Sequence, residues 1–320
     1  MAKYLITGIA GFIGSSLARA LVDRGEEVRG IDNFLTGKAS NLDGVFEQID
    51  FREADLRDAA AMRAACEGID YVLHIGALPS VPLSVKSPEP SHRCNVDGTF
   101  HVLEGARAAG VKRVIYAASS SAYGDQPVLP SKESMRPMPI SPYAVQKLAG
   151  EYYMGCYYQV YGLETVSLRY FNVFGPRQAA DSPYSGVLAK FILQMLEGAR
   201  PTIFGTGEQG RDFTYIDNVV AANLLACAAP PAQVAGKVFN VACGGQHTLK
   251  EMYRLLAELI GFEHPPLFGP SRTGDILNSQ ADISAAAEAF GYRPLIGVKE
   301  GLQRTVEWYR ETLKLPVASR

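Results

Sequence analysis

Tyr143 and Lys147 stand four residues apart in Ser141-Pro142-Tyr143-Ala144-Val145-Gln146-Lys147, downstream of a Ser119-Ser120-Ser121 triplet and a Gly8-Ile9-Ala10-Gly11-Phe12-Ile13-Gly14 turn. On a helix, positions i and i+4 share a face, so the Lys147 ammonium is expected near the Tyr143 phenol, where it would favour the ionised form. A free phenol titrates near pH ~10 and is a poor base at neutrality. Many helices carry a Tyr-x-x-x-Lys by chance, and what singles this one out is its place after a nucleotide-binding half.

That half begins with Gly8, Gly11 and Gly14 between the first strand and the first helix. Glycines there permit a tight turn, close approach of backbone to a pyrophosphate, and close packing of helix on strand. The spacing is Gly-x-x-Gly-x-x-Gly, and an ordinary strand-to-helix turn is the competing reading. Asp32 closes the second strand, where a carboxylate accepts from adenosine ribose hydroxyls and repels a 2'-phosphate, so NAD is expected rather than NADP. Arg29 and Lys38 lie close by in sequence. Asp55-Leu56 follows another strand and is a candidate for the adenine end, against the alternative of a solvated turn or helix cap. Ile75 and Gly76 follow the fourth strand and are candidates to line the channel, while His74 reads as a structural strand-end residue.

The elements needed to hold these groups are legible. Tyr4–Thr7, Glu27–Asp32, Tyr71–His74, Val114–Ala118 and Thr165–Arg169 read as strands. Phe12–Arg24, Ala59–Cys66 and Gly98–Ala109 read as helices between them. The alternation implies an α/β fold, a Rossmann-type doubly wound parallel sheet with ligands at the carboxyl ends of the strands. Residues 1–175 are assigned to the NAD-binding domain. Residues 176–320 are assigned mainly to a smaller C-terminal α/β substrate domain, with segments returning to the first. Helices are expected there at Val187–Glu197, Asp217–Ala228, Leu249–Ile260, Ile283–Phe290 and Val298–Leu313.

Composition excludes several other functions. The 320 residues carry 31 Lys and Arg against 33 Asp and Glu, a net charge of -2, so nothing favours nucleic acid or an anionic membrane as partner. Cys66, Cys94, Cys156, Cys227 and Cys243 are irregularly spaced and read mostly as small core residues, and no metal site is expected. The amino terminus enters a strand directly without a signal peptide, and a cytoplasmic protein is expected.

Together the motifs resemble the extended short-chain dehydrogenase/reductase superfamily and, within it, nucleotide-sugar 4-epimerases of the UDP-glucose and UDP-N-acetylglucosamine type. The resemblance spans nearly the whole chain. It rests on Thr7-Gly8-x-x-Gly11-x-x-Gly14, Asn95-Val96-x-Gly98-Thr99, Ser119-Ser120-Ser121-Ala122-Tyr123-Gly124, Tyr143-x-x-x-Lys147, Leu168 to Gly175, Gly210-Arg211-Asp212-Phe213 and Arg272-x-Gly274-Asp275. It implies an isomerase in which Tyr143, helped by Lys147, takes the sugar O4 proton as hydride leaves C4 for NAD. Ser119 would shuttle or stabilise that proton, through a transient 4-keto sugar. It also implies cofactor contacts from Phe12, Ile13, Asn33, Asn95 and Tyr170, besides the residues already named. Implied substrate contacts are Ser80, Ser119, Ser120, Ser121, Tyr143, Asn172, Val187, Thr202, Ile203 and Phe204. Arg211 and Arg272 offer forked donors for a pyrophosphate, and Asp275 an acceptor for ribose hydroxyls. Ser279 is small where epimerases confined to unacetylated sugars are bulky, which points to UDP-GlcNAc/UDP-GalNAc with UDP-Glc/UDP-Gal also accepted. Pro79 and Leu83 depart from the N-acetyl branch, as does Ile276-Leu277-Asn278.

Three readings compete. A UDP-glucuronate 4-epimerase needs a cation for the C6 carboxylate, and Arg177 is the nearby candidate. A nucleotide-sugar dehydratase needs a general acid in the serine loop, where Ser120, Ser121 and Ala122 supply none. An NAD-binding sensor has no use for Tyr143, Lys147 and Ser119. The aromatic run from Tyr152 to Tyr161 suits an interface, and relatives pair this helix with its copy, so a homodimer is expected.

Overall fold

A computed structural model describes residues 1–180, 185–271 and 276–314, so Arg272 and Asp275 lie outside the described residues. The chain begins β1 (Lys3–Thr7), α1 (Phe12–Val22), β2 (Glu27–Asp32), β3 (Ile49–Glu53), α2 (Ala59–Cys66), β4 (Tyr71–His74), α3 (Val81–Lys86) and α4 (Pro88–His92). It continues with α5 (Gly98–Ala108), β5 (Arg113–Ser119), α6 (Pro142–Tyr161), β6 (Glu164–Tyr170), β7 (Val173–Phe174), α7 (Val187–Leu196), β8 (Thr202–Phe204), β9 (Gly210–Arg211) and β10 (Thr214–Tyr215). The remainder is α8 (Ile216–Ala228), α9 (Pro231–Val234), β11 (Lys237–Val241), β12 (His247–Thr248), α10 (Leu249–Ile260), β13 (Leu267–Gly269), α11 (Ser284–Phe290) and α12 (Val298–Thr312).

Seven parallel strands form the central sheet in the order β11-β6-β5-β4-β1-β2-β3. β1 pairs with β2 on one side and β4 on the other, so the direction of winding reverses between β1 and β4. The crevice beyond their carboxyl ends is the ligand position of a doubly wound sheet. Strand residues alternate between two covered faces. Leu5, Val72 and Val114 pack with Met62, Val102 and Met154 of α2, α5 and α6, while Ile6, Leu73 and Ile115 join Leu17 of α1 and Val219 of α8. All six strand residues are fully buried, each contributing about 1.5–3 kcal/mol. The second cluster runs on through Phe191, Leu256 and Val306, so α7, α10 and α12 share the core of one sheet face. β11, which the sequence reading did not place, returns from the second half to become the outermost strand beside β6.

The helix carrying Tyr143 is fixed at both ends. Ser141 caps it by accepting from Ala144 N, Pro142 occupies the first turn, and Gly162 ends it in the left-handed region at φ 70°. Only Cys66 and Cys227 are fully buried, whereas Cys156 sits on the outward face of α6, so the core reading holds for two of the five cysteines. Among the described residues, no helix is long and apolar enough to cross a membrane.

Candidate active site

The turn after β1 is built around glycine. Gly8 has φ +68°, and a Cβ on it would lie 2.7 Å from Gly76 Cα; a Cβ on Gly14 would lie 2.1 Å from Gly8 O. The first and fourth strands therefore meet where side chains cannot fit. α1 starts at Gly11 with no side-chain cap and no acidic residue in its first turn, leaving its leading N–H groups for an anion. Asp32 sits at the crevice edge and accepts from Ala10 N and Phe34 N, both at 2.9 Å. Burial pushes its pKa up, against these backbone donors. Glycines, an open helix terminus and a buried ribose acceptor fit a dinucleotide. Arg29 is directed elsewhere, to Asp50 at 2.6 Å and the carbonyls of Ala65 and Glu67, so it does not counter the preference for NAD.

A buried hydrogen-bond chain locks this switch point. Gly76 N donates to Thr7 Oγ1 at 2.9 Å, Thr7 Oγ1 lies 2.8 Å from His74 Nδ1, and His74 Nε2 lies 2.9 Å from Thr99 Oγ1. Thr99 Oγ1 in turn donates to Asn95 O at 2.7 Å. The chain is satisfied when His74 is neutral with its proton on Nε2, and burial pulls its pKa down to about 3.

Some expected cofactor residues are already engaged. Asn95 directs its amide to both backbone groups of Leu78 and to Gln146, the neighbour of Lys147, and so braces the loop. Asp55 is held by Arg57 at 2.6 Å and by Asn33 at 2.8 Å, and the Arg57 hydrogen bond keeps its carboxyl well below the usual range. Leu56 packs under Gly76 and Gly98. Tyr170 points its hydroxyl at Asn223 of α8. Phe12 and Ile13 open α1 and pack against the main core, as does Ile75 beyond β4.

Ser119 ends β5 and Tyr143 begins α6. The Tyr143 amide donates to Ser84 Oγ at 3.0 Å, tying it to α3. Burial pushes the Tyr143 phenol up to about 12, and a hydrogen bond from Ser119 opposes it. Lys147 is buried, donates from Nζ to Ala117 O at 2.8 Å and lies 4.9 Å over the Tyr116 ring. Burial lowers it to about 8, opposed by the neighbouring Cys94 and Glu151. Ser121 donates to Ser119 Oγ through both N, at 3.2 Å, and Oγ, at 2.9 Å. Ser120 begins the half-buried turn between them.

On the facing side, Asn172 donates to Asp212 O at 3.2 Å and approaches Ser279 Oγ at 3.4 Å. The Arg211 fork donates to Ile276 O at 2.6 Å and Leu277 O at 3.0 Å, holding the strap that carries Ser279. Ser279 N donates to Gly210 O at 3.0 Å. Asp212, overlooked as a site residue, gathers the amides of Cys243, Gly244 and Ala281. Its position between motif residues Arg211 and Phe213 was the available signal. Ile203 is fully buried, so its side chain cannot border a base, whereas Thr202 and Phe204 flank it half-exposed on β8. Val187 starts α7 against the core, and Ser80 caps α3 by accepting from Leu83 N.

A nucleotide crevice flanked by a half-buried Tyr and a buried Lys one helical turn apart is the working arrangement of the extended short-chain dehydrogenase/reductase class. The chain belongs to the NAD dependent epimerase/dehydratase family, which matches residues 4–242. A UDP-glucose 4-epimerase of Mycolicibacterium smegmatis is 37% identical over 312 residues, covering 96% of this chain and 98% of the relative. The UDP-glucose 4-epimerase of Thermotoga maritima, solved with UDP-glucose, matches with TM-score 0.93 and 37% identity, covering 97% of this chain and 99% of that one. The UDP-N-acetylglucosamine 4-epimerase of Methanobrevibacter ruminantium, solved with UDP-N-acetylmuramic acid, matches with TM-score 0.92, 37% identity and coverage of 97% and 99%.

Proposed function

We propose that this enzyme interconverts the C4 epimers of a UDP-hexose, with UDP-GlcNAc/UDP-GalNAc as the main pair and UDP-Glc/UDP-Gal as further substrates. The observation that carries the reading is that Tyr143 and buried Lys147 lie one turn apart on α6, with Lys147 Nζ tied at 2.8 Å to the Ala117 carbonyl of β5, the strand that ends in Ser119. Bound NAD supplies the hydride acceptor for C4 and a positive ring charge beside the phenol. That charge is needed, because burial alone leaves Tyr143 protonated at neutral pH. Tyr143 as phenolate takes the O4 proton, and Ser119 steadies the phenolate by donating to it. Lys147 has two further N–H groups beyond the one at Ala117 O with which to hold a cofactor hydroxyl. The 4-keto sugar would then present its other face to the cofactor, so that C4 regains the hydride while Tyr143 returns the proton to O4.

Residues 176–320 are assigned the nucleotide-sugar side, with Ser279 leaving room at C2. The glucuronate alternative loses its cation, since Arg177 donates to Ser16 of α1 at 3.0 Å. The test incubates purified protein with UDP-GlcNAc, UDP-Gal and UDP-glucuronate and follows the anomeric protons of the C4 epimers. Tyr143→Phe should lose about 10²- to 10⁴-fold in rate, and retained activity would remove it as base. Ser279→Tyr should lose the N-acetyl sugars and spare UDP-galactose; equal loss of both would refute the steric argument.

We also infer a homodimer through α5 and α6. α6 leaves Val145, Tyr152, Tyr153 and Val160 exposed, and Phe100 of α5 lies 6.0 Å from Tyr153, so a continuous apolar face is open. Sedimentation should give twice the chain mass, and Tyr152→Glu should halve it; a monomeric wild type would refute the pairing.

A further inference from the structure

We propose that Ser84 is a positioning residue that holds the Tyr143 end of α6 against the segment carrying Ser80, and so sets the reach of the phenol to the sugar. The need for it is visible in the first turn of α6. Pro142 has no N–H, Ala144 N donates to Ser141 Oγ at 3.2 Å, and Val145 N donates to Ser141 O at 3.0 Å. The helix's own cap therefore leaves one donor of that turn, the Tyr143 amide, without a local partner. Ser84, 59 residues earlier in the chain, supplies one: Ser84 Oγ accepts from Tyr143 N at 3.0 Å and donates to Val81 O at 2.7 Å. Both directions are set by backbone groups, since an amide N–H only donates and a carbonyl only accepts.

A second anchor decides what Ser84 does. Gln146, the residue before Lys147, accepts at Oε1 from Ser91 Oγ at 2.8 Å and from Asn95 Nδ2 at 2.9 Å, and Asn95 also holds both backbone groups of Leu78. Residues 78–95 thus grip α6 at Gln146 and again at Tyr143. The grip at Gln146 alone would keep the helix in place and leave its first turn free to pivot; the two together fix its direction. Ser84 N donates to Ser80 O at 3.0 Å, so the proposed sugar contact and the proposed base are joined through one residue. Ser84 itself is fully buried and has no surface with which to touch a substrate. Its effect is geometric: a displacement of about 1 Å at the reacting groups is enough to cost about two orders of magnitude in rate. This inference rests on Tyr143 as the base.

The experiment measures kcat and KM for UDP-GlcNAc and UDP-glucose in wild type, Ser84→Ala, Ser84→Cys and Thr165→Val, each loaded with NAD, with Tyr143→Phe as control. Thr165 is fully buried and its Oγ1 donates to Met154 O at 2.7 Å. Thr165→Val therefore also removes one buried hydrogen bond to α6, away from Tyr143, and reports what such a loss does by itself. Ser84→Ala should lower kcat about ten- to hundredfold with KM within about twofold, while Thr165→Val should keep both within about twofold. Ser84→Cys puts a weaker hydrogen-bonding group in the same place; its kcat should fall between those of Ser84→Ala and wild type, and it carries the test if Ser84→Ala does not fold. A Ser84 variant with kcat no lower than that of Thr165→Val, or with KM raised and kcat intact, overturns the proposal. A wild type that epimerises neither sugar, or an active Tyr143→Phe, overturns the proposed function instead, and the role of Ser84 falls with it.

Discussion

Arg169 of β6 and Glu151 of α6 form a two-pronged pair at 2.9 and 2.7 Å, with side chains 4% and 2% exposed. Arg169→Met removes one partner and leaves a carboxylate with almost no access to water, a change that costs about 3–5 kcal/mol. At about 2.1 cal/mol/K per residue, the 320 residues of this chain give an unfolding entropy near ~0.7 kcal/mol/K. Each kcal/mol then moves Tm by about 1.5 °C, and Arg169→Met should melt about 5–7 °C lower. The double variant Arg169→Met with Glu151→Leu removes both charges and should return to within about 1 kcal/mol of wild type. Stability and function then separate, because Glu151 also helps keep Lys147 charged while burial pulls that amine down to about 8. With Glu151 gone, Lys147 loses its proton at lower pH, and the alkaline limb of the kcat profile should move down. Thermal melts of the three proteins and one pH–rate profile decide the matter. A single variant within about 1 kcal/mol of wild type, or a double variant no better than the single, would show that the pair is not the buried, mutually dependent unit described.

Further perturbations test other contacts. His74 is held neutral, with its pKa drawn down to about 3 by burial, so folding stability is full above the ordinary imidazole value and is lost as pH falls from ~6.5 toward the folded value. Between pH 7 and 5 that one group should remove about 2 kcal/mol, and urea titrations of wild type should show a loss larger by this amount than those of His74→Gln. Gly14→Ala drives a Cβ to 2.1 Å from Gly8 O and should cost about 3 kcal/mol or more, with NAD lost from the purified protein; a variant that keeps both would show the turn can relax. Asn240→Leu should raise KM and lower kcat together, because its amide holds both sides of the cleft; steady-state kinetics giving only one of these effects would refute the coupling.

The parts of the site that depend on spacing were legible. A four-residue interval puts Tyr143 and Lys147 on one helix face wherever the helix lies, and glycines at 8, 11 and 14 between a strand and a helix have few alternatives. Hydrogen-bond allocation was not legible. Arg211, expected at a pyrophosphate, also has its fork on the carbonyls of Ile276 and Leu277; Asn95, expected at the cofactor, also braces Leu78 and Gln146. Each group had the chemistry assigned to it, but a chain offers many internal acceptors whose nearness only the fold decides. β11 was hidden for a related reason. Lys237-Val238-Phe239-Asn240-Val241 carries a polar residue at a position that is fully buried, and a buried amide looks misplaced until its partners are known.

Those partners show why the second half of the chain had to contribute a strand to the first. Asn240 Oδ1 accepts from Tyr123 Oη at 2.7 Å, and Tyr123 lies in the turn that follows Ser119. Asn240 Nδ2 donates to Ser131 O at 3.0 Å and Asp282 O at 2.9 Å. Asp282 N in turn donates to Ser131 O at 2.9 Å, and Ala281 N donates to Asp212 at 3.2 Å. One buried side chain thus joins the loop that carries Ser119 to the strap that carries Ser279 and is clasped by Arg211. A free strap would let the sugar end of the cleft drift relative to the proton-transfer end, and displacement on the ångström scale is enough to cost about two orders of magnitude in rate. Strand pairing to β6 along Lys237–Val241 supplies the rigidity that a surface loop would lack. The unusual step of burying an amide at the sheet's edge therefore has a structural reason: the turn after Ser119 and the strap that carries Ser279 are held from the same strand.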